Sequence, residues 1–239
     1  KQTTGNGWSM NDGLTFSATV EMDNGWNVTA KQIIDSSDGV AAAIMDTRIL
    51  TIDMGDTGTL TFSGTGGSSV LNAIDDVTPT AYEESWDIVT GASAIPGGVG
   101  GDNMFHYSNS SLMDGVTLAA AYVPSNKATV VESSSDYGIT YTGIDGLTIG
   151  AATGENNATA SASVDITNMY VKYAMDAFTV GYQTSESDSE TTNADKDFTA
   201  FGISYAMSDE MSVSYNQSSI DYENSTLADQ DSMGLSVSY

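Results

Sequence analysis

The sequence predicts an all-β chain folded as an up-and-down antiparallel barrel, and three observations carry that expectation. Apolar and small polar residues alternate strictly through most of the chain, the period of a sheet with one apolar and one polar face. Short turns carrying one Asp recur at Asp23, Asp56, Asp114, Asp145, Asp176 and Asp209, at spacings of 33, 58, 31, 31 and 33 residues. Between them lie longer polar or acidic stretches at 35–46, 124–135, 154–163, 186–195 and 220–231. Short connections therefore fall on one side and long ones on the other, as in an up-and-down barrel.

The strands follow in order. In the first, Leu14, Phe16, Ala18, Val20 and Met22 share one face, and Thr15, Ser17, Thr19 and Glu21 share the other. Asp23-Asn24-Gly25 makes a hairpin turn, after which Trp26, Val28 and Ala30 alternate with Asn27, Thr29 and Lys31. The same rhythm returns in Val116–Tyr122, Leu147–Ala151, Met169–Tyr173, Phe178–Tyr182, Phe201–Tyr205, Met211–Tyr215 and Met233–Tyr239. Thirteen strands can be read in all. The long spacing, Asp56 to Asp114, exceeds the repeat by about 26 residues, and the excess lies in Gly64–Asp102. A connection of that length without strand pattern in a regular barrel has a function. It lies over the mouth or folds into the lumen.

Composition narrows the class. The 239 residues suit one large domain, 1–239. The longest apolar runs, Val40–Met45 and Leu118–Val123, are six residues each, far short of the roughly 20 of a membrane helix. Six Lys+Arg against 32 Asp+Glu give a net charge of −26, which excludes nucleic acid as a partner. There is no cysteine, and the single His106 cannot build a zinc site or a catalytic triad. Gly97–Gly101 is Gly-rich but has no Lys after it, so it is a flexible loop and no phosphate cradle. The chain is expected not to be an enzyme. Lys1–Asp12 is polar, so an export signal is expected to have been removed or to lie elsewhere.

Periodicity does not say which face meets which solvent. Three features put lipid outside. The non-apolar face is uniformly small and polar, which suits a wet lumen. Trp26, Tyr173, Phe178 and Tyr205 lie near the short turns and Tyr122 and Tyr182 near the long loops, like two interfacial girdles. The apolar face is rich in Ala, Val and Leu, which suits fluid acyl chains better than a close-packed core. The alternative is a soluble or surface-attached acidic all-β adhesin or binding protein, with the apolar face inside.

The runs Gly13-Leu-Thr-Phe-Ser-Ala-Thr-Val-Glu-Met-Asp-Asn-Gly-Trp26 and Gly55-Asp-Thr-Gly-Thr-Leu-Thr-Phe-Ser-Gly64 resemble the Gram-negative general, non-specific porins of the alphaproteobacterial type. The resemblance implies a transmembrane β-barrel of 16 strands, assembled as a homotrimer in the outer membrane among lipid and lipopolysaccharide. It implies passive diffusion of small hydrophilic solutes and ions. Counted on that pattern, the thirteen strands are the second to the fourteenth, so the chain is expected to be a fragment lacking the first and the last two. The same resemblance makes 64–102 the inward-folded constriction loop. It contains Asp75, Asp76, Glu83, Glu84 and Asp87 and no Lys or Arg, and these acids would favour cations in a narrow passage. Lys31 and Lys172 fall on the lumen face by alternation. Arg48 shares parity with Leu50 and Ile52, so only a bulge would bring it into the constriction. No cofactor is expected. Asp75, Asp76, Glu83 and Glu84 have oxygen chemistry suited to Ca2+ but match no calcium-loop spacing.

Overall fold

Alternation becomes strand throughout the computed structural model, which describes residues 13–35, 45–75, 77–82, 97–125, 132–159, 162–224 and 226–239. The strands are β1 (Leu14–Glu21), β2 (Asn27–Ile34), β3 (Met45–Asp53), β4 (Thr59–Thr65), β5 (Met104–Met113), β6 (Val116–Val123), β7 (Ser134–Ile144), β8 (Leu147–Thr159), β9 (Ala162–Met175), β10 (Phe178–Ser189), β11 (Lys196–Ala206), β12 (Ser212–Tyr222) and β13 (Gln230–Ser238). They form one sheet in chain order, every neighbouring pair antiparallel. Among the described residues no helix is long and apolar enough to cross a membrane.

All six Asp turns connect paired strands. Asp114-Gly115 and Asp145-Gly146 are two-residue hairpins with glycine at φ 69° and 73°, the backbone region such turns demand. Asp176-Ala177 uses Asp176 itself at φ 51°, which a short polar side chain tolerates. The turns also interlock. The carbonyls of Gly115, Gly146 and Ala177 accept the amides of Thr142, Ala174 and Ala206 at 2.7, 2.8 and 2.9 Å. Each hairpin is thus tied to the end of the following hairpin's first strand, and the near-constant spacing in the sequence is the repeat of this bond.

The strands run beyond the apolar band. Stretches 154–163, 186–195 and 220–231 read as long loops, yet β8 continues to Thr159, β10 to Ser189 and β12 to Tyr222. Backbone pairing needs no apolar side chain, so the ladder persists where the apolar face stops. Register makes this visible. One row of cross-strand partners on the outer face runs Ala18, Ala30, Leu50, Phe62, Phe105, Tyr122, Ser135, Glu155, Asp165, Asp188. It drifts from the apolar band to the acidic rim, as the stagger of tilted barrel strands requires.

The opposite face carries its own continuous row: Thr19, Thr29, Thr51, Thr61, His106, Ala121, Asp136, Gly154, Ile166, Ser187, Lys196, Tyr222. This is the inner face. The outer one exposes Leu14, Phe16, Leu118, Tyr137, Val171, Tyr182 and Leu235. In water that surface would be an aggregation liability; in lipid it is the required exterior.

Candidate functional site

The connection between β4 and β5 leaves the sheet at Gly66 and returns at Asn103, and its described parts lie on the inner face. Its two ends are tied together. Gly67 N–H donates to Gly101 O at 3.2 Å, Gly66 N–H to Asp102 Oδ1 at 3.2 Å, and Gly98 N–H to Asn72 Oδ1. From this neck the outgoing part crosses the wall strand by strand. Asp136 on β7 accepts the amides of Val70 (3.3 Å) and Leu71 (3.0 Å). Asn168 on β9 donates to Ile74 O at 2.9 Å. Gln183 on β10 donates to Ile74 O and Asp75 O at 2.8 and 2.9 Å and accepts Val77 N–H at 3.0 Å. On β12, Asn216 donates to Pro79 O at 3.0 Å and Ser214 Oγ accepts Ala81 N–H at 2.8 Å.

The chemistry explains the residue types. A non-helical, non-sheet backbone laid on a wall must find partners for its amides and carbonyls. Carboxamides supply both donor and acceptor from one side chain, and Gln183 uses both ends while fully buried. A carboxylate offers only acceptors, and Asp136 takes the two amides of Val70 and Leu71. Apolar contact adds to this: Val70 and Leu71 are buried with Met104, Ala121, Ala152 and Ile166. Glycine makes room further along. A Cβ built on Gly181 would stand 2.5 Å from Pro79 Cδ, and one on Gly202 would stand 2.7 Å from Pro79 O. Any larger residue at Gly202 collides with the crossing backbone, and one at Gly181 with the Pro79 ring.

The residues singled out from sequence fall into three groups. Asp76, Glu83, Glu84 and Asp87 lie outside the described residues. Asp75 is half-buried on the crossing segment, its carbonyl held by Gln183. Lys31 and Lys172 sit on inner-face rows, Lys31 between Ser17 and Ile49, Lys172 between Thr148 and Gly181. Six strands, β3 to β8, lie between them in the sheet, so the structure does not bring them together. Arg48 pairs with Gln32, which pairs with Phe16, and this is the outer face. A register shift does occur beside it, between Arg48 and Ile49 against β4. It leaves the alternation along β3 unbroken, and Arg48 is exposed on the side of Leu50. Among the described residues no group of three acids or histidines could hold a metal ion.

Sequence reasoning missed the clamp. Asp136, Asn168, Gln183, Ser214 and Asn216 stand on the polar parity of their strands, and size marks all but Ser214: long amides or a carboxylate among Gly, Ser and Ala. It also missed Lys196, which pairs with Ser187 and Tyr222 on the inner face. Outside, two acidic triplets lie in register at the long-loop end. Glu155, Asp165 and Asp188 form one, and Glu186, Asp197 and Asp221 the other. Directly opposed like charges destabilise a sheet.

Comparison with known proteins follows the same lines. A family model described as Gram-negative porin matches residues 1–239. No curated protein matches the sequence. Among solved structures the chain is similar to the trimer form of OmpT, an outer membrane protein of Vibrio cholerae. The TM-score is 0.68 at 13% identity, over 95% of this chain and 75% of that one. It is similar to Salmonella typhi OmpF in complex with daunomycin, with TM-score 0.64 and 11% identity over 92% and 74%. A porin refined at 1.8 Å gives 0.63 and 15% over 95% and 81%. At such identities the likeness is one of fold.

Proposed function

The chain belongs to the Gram-negative porin family, integral β-barrels of the outer membrane, and on that premise we propose a water-filled channel for passive diffusion of small hydrophilic solutes, preferring cations and assembled as a homotrimer. The crossing segment carries this reading. A backbone strap held by side chains of β7, β9, β10 and β12 occupies part of the inner space and limits what passes. A barrel of 16 strands leaves an aqueous bore, which such a strap narrows. No bond is made or broken, so the channel needs no catalytic group.

Cation preference rests on charge. The chain carries −26, and the strap and its continuation hold Asp75, Asp76, Glu83, Glu84 and Asp87 without a compensating base. Carboxylates in a narrow passage with low-dielectric walls concentrate cations and repel anions. Lys31 and Lys172, on the inner face, moderate this. Outer-membrane lipid and lipopolysaccharide surround the apolar exterior. The trimer is supported by the trimer form of the Vibrio cholerae neighbour.

The test is conductance in a planar bilayer under a KCl gradient. Triplet steps with a reversal potential of cation sign are expected. An anion-sign potential would overturn the charge assignment, and absence of steps from folded, inserted protein would overturn the channel.

A further inference from the structure

A second feature of the inner face lies away from the strap's clamp, at the long-loop end. There the inner faces of β8 to β12, the two loops above them and Gly97 of the β4–β5 connection line a half-open cavity of about 480 Å³, within the range of small-molecule sites. Val164 and Ile166 from β9 give it apolar surface, and Leu227 adds to it from the last loop. Two opposite charges share it, Lys196 and Asp195. Among the described residues they form no ion pair with each other. Asp195 is fixed in place, one carboxylate oxygen accepting the amide of Ser189 at 2.7 Å. Lys196 is fixed by register, between Ser187 and Tyr222 at the head of β11.

We propose that this vestibule is a binding subsite for small zwitterionic solutes of the α-amino acid class, the carboxylate held by Lys196 and the ammonium by Asp195. The inference rests on the reading that the inner face lines a channel, and it adds a solute class to it. The charge of the whole chain makes the choice. A simple anion gains at Lys196 but is repelled by a protein of −26. A simple cation is attracted, but by any of many carboxylates and with no preference for this cavity. A zwitterion feels little of the net field and gains at both groups together. Its apolar side chain meets Val164, Ile166 and Leu227. Lys196 would thus be a specificity-determining residue in a predominantly acidic mouth.

Saturation-transfer NMR on the full chain in detergent micelles tests this with three matched probes: L-valine, isovalerate, which lacks the amine, and isobutylamine, which lacks the carboxylate. Valine is expected to bind on the order of tenfold more tightly than either, the scale of one charge-assisted hydrogen bond. Lys196→Gln and Asp195→Asn should each weaken valine by a similar factor, while Lys196→Arg retains it. Asp195→Asn keeps an oxygen for Ser189 N–H, so the loop holds its shape. Isovalerate or isobutylamine binding as well as valine would overturn the proposal. So would valine binding unchanged in Lys196→Gln. KCl conductance is read on the same preparation. Conductance without valine binding removes the subsite alone, and valine binding without conductance removes the channel reading instead.

Discussion

The inner faces of β1–β3 and of β7–β12 are built from the same alternating strands and the same short turns, yet one is open and the other covered. Ser17, Thr19 and Lys31 are exposed, whereas Asn168, Gln183, Ser214 and Asn216 are buried beneath the crossing segment. The residue types differ accordingly. The open wall carries mostly hydroxyls and charged groups, side chains that water satisfies, with Ile33 and Ile49 among them. The covered wall carries long amides, a carboxylate and glycines, which satisfy and admit a backbone. Polar alternation therefore specifies a face turned from lipid, and side-chain size on that face specifies whether water or main chain lies against it.

Substitutions can break this difference, and the largest effect is expected at the apolar seat. Leu71→Ala, which empties a buried site among Met104, Ala121 and Ile166, should cost about 2–5 kcal/mol if the seat does not collapse. Urea unfolding in lipid vesicles measures it. Gln183→Leu comes next. It strips partners from Ile74 O, Asp75 O and Val77 N–H and should cost about 1–3 kcal/mol by the same assay. Gly202→Val should push the strap off β11 and change the single-channel conductance. An unchanged step size would mean that Pro79 does not lie there. As the matched control, Ser17→Ala on the open wall should stay within about 0.5 kcal/mol of the parent. The smallest effect belongs outside the barrel. Asp197→Asn, at the centre of an acidic triplet, should raise the melting temperature at low ionic strength, and the gain should vanish in 1 M salt, where the Debye length is about 3 Å.

These contrasts also mark how far the sequence can be read. Strand order, the turns and the outer face were legible because backbone sterics impose a period of two and because Asp-Gly pairs serve as hairpin turns. The crossing segment was legible only as an excess of about 26 residues between Asp56 and Asp114; nothing local says which strands receive it. The clamp was hidden because Asn and Gln count as polar wall residues in any alternation. Phe198 was hidden for the converse reason. It is an aromatic on the polar parity of β11, fully buried beside Ala200 and Ile220. Strand ends were misplaced at 154–163, 186–195 and 220–231 because apolarity reports where lipid ends, whereas hydrogen bonding decides where the strand ends.

The central claim, a strap resting inside the barrel against the β7–β12 wall, has a direct test. The chain has no cysteine, so Ala81→Cys with Ser214→Cys introduces a single thiol pair. Ser214 Oγ accepts Ala81 N–H at 2.8 Å, which places the two Cα atoms within disulfide range. The measurement is single-channel conductance of this double variant, oxidised and then reduced. The account predicts near-complete crosslinking and the same step size in both states, because the bond joins what already touches. Failure to crosslink in the folded, inserted protein, or a step that changes on reduction, would contradict it.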